Sequence, residues 1–177
     1  MDFFSPTVPI KFKDYPIIWV KRDDLIDPYI SGNKWRKLKY VLEDAVNQGR
    51  THLVTFGGAY SNHLLACAAA AARFGLKVTA FVRGEEVEND TIFLSRLFGM
   101  QHIFVNREDY KDKVSLYKQH FEFNSSAYFI DEGGAGELAV EGCMEIMKEV
   151  ESTFDQIYCA AGTGTTAAGI LRYMNRY

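Results

Sequence analysis

The sequence predicts an α/β fold, a parallel sheet flanked by helices, and three observations carry that prediction. Short apolar, strand-like runs recur with centres near residues 53, 78, 103 and 128. Their spacing of about 25 residues leaves room for one helix per interval, as strand–helix–strand units with right-handed crossovers require. The intervals themselves carry helical periodicity. Finally, 177 residues at 47% apolar and 24% charged have an ordinary globular balance. A chain of this size buries roughly 70% of its unfolded surface and needs no staples. Its length suits one domain or one and a fraction.

The elements follow in order. An apolar run over 17–20 ends in a charged turn, Lys21-Arg22-Asp23-Asp24. A helix is expected over 34–47, because Trp35, Leu38, Leu42 and Ala45 share one face and Gly49 follows as a stop. Strands are expected over 52–56, 77–82, 101–105, 127–130 and 156–160. Helices are expected over 61–74, which is rich in alanine, and over 89–98, 110–121, 137–151 and 165–174. No internal repeat underlies the spacing and no low-complexity linker interrupts it. Gly133-Gly134-Ala135-Gly136 is the expected hinge or domain crossing.

Several classes fall away. With 20 basic and 23 acidic residues, the net charge of −3 argues against nucleic acid as the main partner. The longest apolar stretch, 64–72, is too short and too alanine-rich to span a bilayer, so no membrane partner is expected. The acidic start, with Pro6 and Pro9, does not read as a signal peptide, so none is expected. Cys67, Cys143 and Cys159 are odd in number and far apart, so they form no disulfide framework. They read as buried small hydrophobes in a reducing cytoplasm. His52, His63, His102 and His120 lack metal-ligand spacing, so no metal site is expected. His63 reads as a surface residue on a capped helix, the alternative being a supporting group beside Asn62. Without a Gly-x-Ser-x-Gly elbow, a serine hydrolase is not expected.

Ligands of open α/β sheets sit beyond the carboxyl ends of the strands, and three turns stand out. In Ser31-Gly32-Asn33-Lys34, Asn33 is a good N-cap type, which places Lys34 in the first helical turn. The helix dipole disfavours an ammonium there by about 0.3–1 kcal/mol, and a neutral lysine amine is what attack on a carbonyl needs. The plain alternative is a solvated lysine beside Arg36, Lys37 and Lys39. In Gly57-Gly58-Ala59-Tyr60-Ser61-Asn62-His63, the glycines allow a tight turn and Ser61 or Asn62 can cap the next helix. Amides and hydroxyls at such a start can hold an anion or carbonyl oxygen. In Ala161-Gly162-Thr163-Gly164-Thr165-Thr166, glycines allow close backbone approach and threonines add donors, a phosphate cradle by composition. It matches neither the P-loop nor the Gly-x-Gly-x-x-Gly fingerprint, since position 167 is Ala167. That leaves singly phosphorylated coenzymes or phosphorylated substrates.

Together, Gly32-Asn33-Lys34-x-Arg36-Lys37-Leu38, Gly57-Gly58-x-x-Ser61-Asn62-His63 and Gly162-Thr163-Gly164-Thr165-Thr166 resemble the pyridoxal-phosphate enzymes related to 1-aminocyclopropane-1-carboxylate deaminase and D-cysteine desulfhydrase. These have the tryptophan synthase β-like fold. Lys21-Arg22-Asp23-Asp24-Leu25 and Asp131-Glu132-Gly133-Gly134 also look like segments of that family. The resemblance implies pyridoxal 5'-phosphate as cofactor, with Lys34 as its covalent attachment point and proton-shuttling base. It implies that Asn62 hydrogen-bonds the cofactor's ring hydroxyl oxygen, that Ser61 faces the substrate carboxylate, and that Gly162, Thr163, Gly164, Thr165 and Thr166 hold the phosphate. The chemistry implied is β-elimination or ring opening of a small amino acid, releasing ammonia and a keto acid, in a homodimer. The family continues past position 177, so the expectation is a truncated chain with a complete small domain, 34–130, and an incomplete large domain, 1–33 and 131–177. Two alternatives stay open. One is an impaired α/β module that binds an anion or dimerises, with apolar surface exposed near 157–171. The other is an enzyme of the same fold resembling cysteine synthase or threonine dehydratase.

Overall fold

The computed structural model describes residues 4–151 and 153–176; the first three residues of the start read above for a signal peptide lie outside them. The chain opens with an antiparallel pair, β1 (Thr7–Ile10) and β2 (Ile18–Lys21), with Thr7 opposite Lys21 and Ile10 opposite Ile18. Strand β1 is not among the elements expected above, and its Pro9 is tolerated because a two-stranded ribbon leaves one edge of each strand unpaired. There follow α1 (Asn33–Asn47), β3 (His52–Gly58), α2 (Asn62–Arg73), β4 (Lys77–Arg83), α3 (Asp90–Leu97) and β5 (Met100–Val105). The remaining elements are α4 (Lys113–Phe121), β6 (Ala127–Ile130), α5 (Glu137–Lys148) and α6 (Thr165–Met174).

Four strands pair in parallel in the order β5-β4-β3-β6, with His52 opposite both Lys77 and Ala127 and Val78 opposite Met100. Apart from Thr55, the middle of β3 is apolar, and it is buried on both faces, as a parallel sheet covered by helices demands. Leu53, Ala80 and Val82 pack with Leu38, Leu42, Ala66 and Ile92 from α1, α2 and α3. Val54, Phe56 and Phe81 pack on the other face with Tyr110 and Leu116, and Phe56 stacks on Phe81 at 5.0 Å between ring centroids. The chain steps outward from β3 to β4 to β5 and then returns to the far side of β3 as β6. Strand order therefore reverses between β3 and β6, and the loops leaving these two strands emerge side by side. Such a switch point is where open α/β sheets form ligand crevices.

Three expectations need correction here. Residues 156–160 form no strand: no described strand runs alongside to accept a ladder, and a strand is defined by its neighbour's backbone. Cys159 is exposed for the same reason, whereas Cys67 and Cys143 are buried as expected. The helix expected from 110 starts at Lys113, because the Asp112 side chain caps it by accepting from the Ser115 N–H at 3.0 Å. The apolar surface expected near 157–171 is present, with Tyr158 87% and Leu171 61% exposed.

Helices α1, α5 and α6 meet almost backbone to backbone. A Cβ on Gly142 of α5 would collide with the Arg36 carbonyl oxygen of α1, and one on Gly169 of α6 would lie 2.8 Å from the Val140 carbonyl oxygen of α5. Arg36, 3% exposed, fills this junction. Its Nη2 reaches Asp23 Oδ1 at 2.8 Å and Glu149 Oε2 at 2.8 Å, and Lys21 Nζ reaches Glu149 Oε2 at 2.7 Å. Burial opposes the Glu149 charge, yet the hydrogen bonds from Arg36 and Lys21 outweigh it and hold the carboxyl down to about 2. A carboxylate depressed from an ordinary 4.5 contributes stability that is complete above that value and is lost as pH falls toward 2. Glu149→Gln should therefore cost about 1 kcal/mol at neutral pH, the site being part-exposed. Its deficit should vanish through that acid window. Urea unfolding measured across pH checks this, and parallel curves for the two proteins would contradict it.

Candidate active site

A cavity of about 170 Å³ opens between the start of α1 and the loop leading into α6. Asn33, Lys34 and Lys37 line one side, and Gly162, Thr163 and Thr166 the other. Helix α1 begins at Asn33 itself, after Gly32 at φ +61°, and no side chain caps it. Asn33 is therefore not the N-cap expected from its residue type. Glycine takes the positive-φ position that a side chain would strain, and the Asn33 amide is released for other contacts. Its Nδ2 donates to Thr166 Oγ1 at 2.9 Å, and its Oδ1 accepts from Lys34 Nζ at 2.7 Å.

Lys34 lies in the first turn of α1, as the sequence indicated. Burial lowers its pKa, and the positive charge of Lys37 lowers it further, against a smaller opposite influence from Cys143. Lys37 belonged to the solvated group in the sequence reading, yet it is 4% exposed. Its Nζ donates to Thr163 Oγ1 at 3.2 Å and to the Gly133 carbonyl at 3.4 Å, and burial lowers its pKa too. The signal that could have found it is spacing: residues three apart on a helix share a face.

Gly162, Thr163, Gly164 and Thr166 line the cavity; Thr165 is buried beside it, 3.0 Å from Thr163 by their hydroxyl oxygens. Gly164, at φ +80°, precedes α6, and no side chain caps that helix. The first amide N–H groups of α6 are thus left for an external acceptor.

The Ser61 and Asn62 side chains do not line this cavity. Ser61 caps α2, its Oγ accepting from the His63 N–H at 3.3 Å, and Asn62 is exposed as the first residue of that helix. His63 is not on the surface: it is 1% exposed, and its Nε2 lies 2.8 Å from Thr55 Oγ1 on β3. Burial, then the charges of Lys34 and Lys37, push its pKa to about 3, so the imidazole is neutral. Its Nδ1 is buried without a partner among the described residues. Gly134 backs onto this ring, and a Cβ there would lie 3.3 Å from His63 Cε1 and 3.5 Å from Lys37 Cβ. A Cβ on Gly133 would meet Thr163 Cγ2 at 2.9 Å. The turn after β6 thus wedges between α1, α2 and the threonine-rich loop, drawing the three sequence motifs into one neighbourhood. An anion here would meet the Lys37 ammonium, the α6 amides and threonine hydroxyls. The Lys34 amine beside it is biased toward its nucleophilic, neutral form.

Known proteins bear on this arrangement. The family described as "Pyridoxal-phosphate dependent enzyme" matches residues 5–176. A Thermotoga maritima protein named "Putative 1-aminocyclopropane-1-carboxylate deaminase" is 38% identical over 163 residues, covering 86% of this chain and 52% of that protein. The mitochondrial bifunctional D-cysteine desulfhydrase/1-aminocyclopropane-1-carboxylate deaminase of Arabidopsis thaliana is 30% identical, covering 86% of this chain and 44% of that one. The crystal structure of an ACC deaminase homologue superposes with a TM-score of 0.79 at 31% identity, covering 90% of this chain and 52% of that chain. The chain spans about half the length of the curated relatives it matches. The chain belongs to the pyridoxal-phosphate dependent enzyme family, and its parallel sheet flanked by helices is the fold of that family.

Proposed function

We propose that this chain binds pyridoxal 5'-phosphate in the Lys34 cavity and serves a deaminase or desulfhydrase of small amino acids, 1-aminocyclopropane-1-carboxylate or D-cysteine, that releases ammonia and a keto acid. One observation carries the reading: an amine with a lowered pKa and an anion cradle line the same cavity. The donor set suits the cofactor. Gly162 and Gly164 put no side chain of their own into the cradle, the α6 amides and Thr163 and Thr166 supply hydrogen-bond donors, and Lys37 supplies charge. When bound, the cofactor supplies an electron sink for the substrate's α-carbon.

The chain's own residues do the rest. Lys34 Nζ, its pKa lowered by burial and by Lys37, is assigned the covalent attachment and afterwards carries the proton to and from the substrate. Gly162, Thr163, Gly164, Thr165 and Thr166 are assigned the phosphate; the buried Thr165 orders Thr163 by its 3.0 Å contact. Ser61 Oγ already accepts from His63 N–H, which leaves its hydroxyl proton to donate to a substrate carboxylate. Asn62, exposed at the start of α2, is assigned the cofactor's ring hydroxyl oxygen. The similarity to relatives named for deaminase and desulfhydrase activities supports the substrate class. We further propose the division into a small unit, 34–130, and a large one built from 1–33 and 131–177, supported by the four-stranded sheet lying wholly within the first. A homodimer and a cytoplasmic location complete the reading. The exposed Ile157, Tyr158 and Leu171 support the first, and three free cysteines with no described helix long and apolar enough to cross a membrane suit the second.

Three outcomes are expected. Pyridoxal phosphate should produce a visible absorbance band with this chain, and borohydride reduction should fix the cofactor's mass on the Lys34 peptide. A band that persists in Lys34→Ala would overturn the assignment. Lys37→Met should weaken inorganic phosphate binding about tenfold, since a charged hydrogen-bond donor is removed; isothermal titration with equal affinities would remove Lys37 from the cradle. Sedimentation should show a dimer at micromolar concentration, and a monomer throughout would refute that part.

A further inference from the structure

We propose that Asn33 is the positioning residue for Lys34: its side-chain amide, oriented by Thr166, aims the lysine amine within the cavity. This rests on Lys34 being the attachment residue but adds what holds it there. The two ends of an asparagine amide are alike in shape and opposite in chemistry. Because Nδ2 donates to Thr166 Oγ1 at 2.9 Å, Oδ1 is the end turned to Lys34 Nζ at 2.7 Å. A flipped amide would set N–H against the lysine's own N–H groups, which can only donate, while the Thr166 hydroxyl holds the amide's other end in place. Adjacent helical residues do not ordinarily face each other, so the Lys34 side chain has turned back over the start of α1 to make this contact. Thr166, 7% exposed, is fixed in the first turn of α6, whose Gly169 packs against α5. The order of control therefore runs from helix packing to Thr166, from Thr166 to the Asn33 amide, and from the amide to a side chain with four rotatable bonds.

The charged and titratable groups that act on Lys34 are Lys37 on its own helix, His63 on α2 and Cys143 on α5. The segment 160–167 on the opposite wall contains no ionisable side chain. Against the unfavourable charge of Lys37, Asn33 Oδ1 favours the ammonium by accepting from it at 2.7 Å, alongside the influence of Cys143.

The test uses the ligand-free chain. Trace acetylation with acetic anhydride across the alkaline range, read on the Lys34 peptide by mass spectrometry, gives the midpoint at which the amine loses its proton. Asn33→Ala should lower that midpoint by about one pH unit, the equivalent of one lost hydrogen bond to a charge. Asn33→Asp should raise it. Thr166→Val should shift it in the same direction as Asn33→Ala, and Thr166→Ser should keep the wild-type value. A purely structural role for Asn33 would not move the midpoint in opposite directions for Ala and Asp. Wild-type midpoints in both Asn33 variants, or in Thr166→Val, would overturn the proposal. If Asn33→Ala fails to fold by circular dichroism, the two Thr166 variants still decide it. Borohydride trapping with pyridoxal phosphate on the same proteins is a separate readout. Its failure in wild type would remove the attachment role of Lys34, while the midpoints still report on Asn33.

Discussion

Arg36 carries its charge through the contact between α1 and α5, and Asp23 and Glu149 answer it from either side. A buried guanidinium is tolerated only when paired, and removing one partner of such a set leaves a charge stranded in a poor solvent. The requirement fixes how α1 is rotated about its axis. With about 100° of turn per residue, Arg36 on the α5 side leaves Lys34 and Lys37, themselves three apart, together on the face toward the loop before α6. Glycines complete the arrangement. Gly142 lets α5 close onto α1, and Gly169 lets α6 close onto α5, so the lysines of one helix meet the amide end of another.

The site formed this way concentrates positive charge and then limits it. A buried Lys37 and a partly buried Lys34 raise the cost of keeping both protonated, and the charge of each opposes protonation of His63. A neutral imidazole there adds no third cation, and its hydrogen bond to Thr55 ties the start of α2 to the sheet. The turn after β6 fits between these groups only because Gly133 and Gly134 have no side chains. The switch point between β3 and β6 thereby gains a floor of backbone and imidazole. A phosphate ester suits such a place, since it neutralises Lys37 and the helix end while leaving the Lys34 amine free to react.

Much of this was readable before any coordinates. Parallel strands buried on both faces are continuous apolar runs, and helices between them repeat every three to four residues, so β3 to β6 and α1 to α3 are visible along the chain. The proposed anion loop was visible because close backbone approach demands Gly162 and Gly164, and donors demand the threonines. Lys37 was obscured by its charged neighbours, because a run of lysines and arginines reads as solvated unless the helix face it shares is known. His63 was obscured because one histidine carries no period. The run at 156–160 has strand composition, but strand formation depends on a neighbouring backbone, which composition does not report.

The chain order of residues was enough to establish an α/β layer arrangement, a lysine in a first helical turn and a loop of glycines and threonines ahead of a helix, because these follow from local periodicity and backbone sterics within a few residues. The meeting of Lys34 with Thr166 through Asn33, the burial of Lys37 and the neutrality of His63 came from folding. Those depend on groups more than a hundred positions apart, or on exclusion from water by other elements, and neither distance in space nor dielectric environment is written along a single stretch of chain.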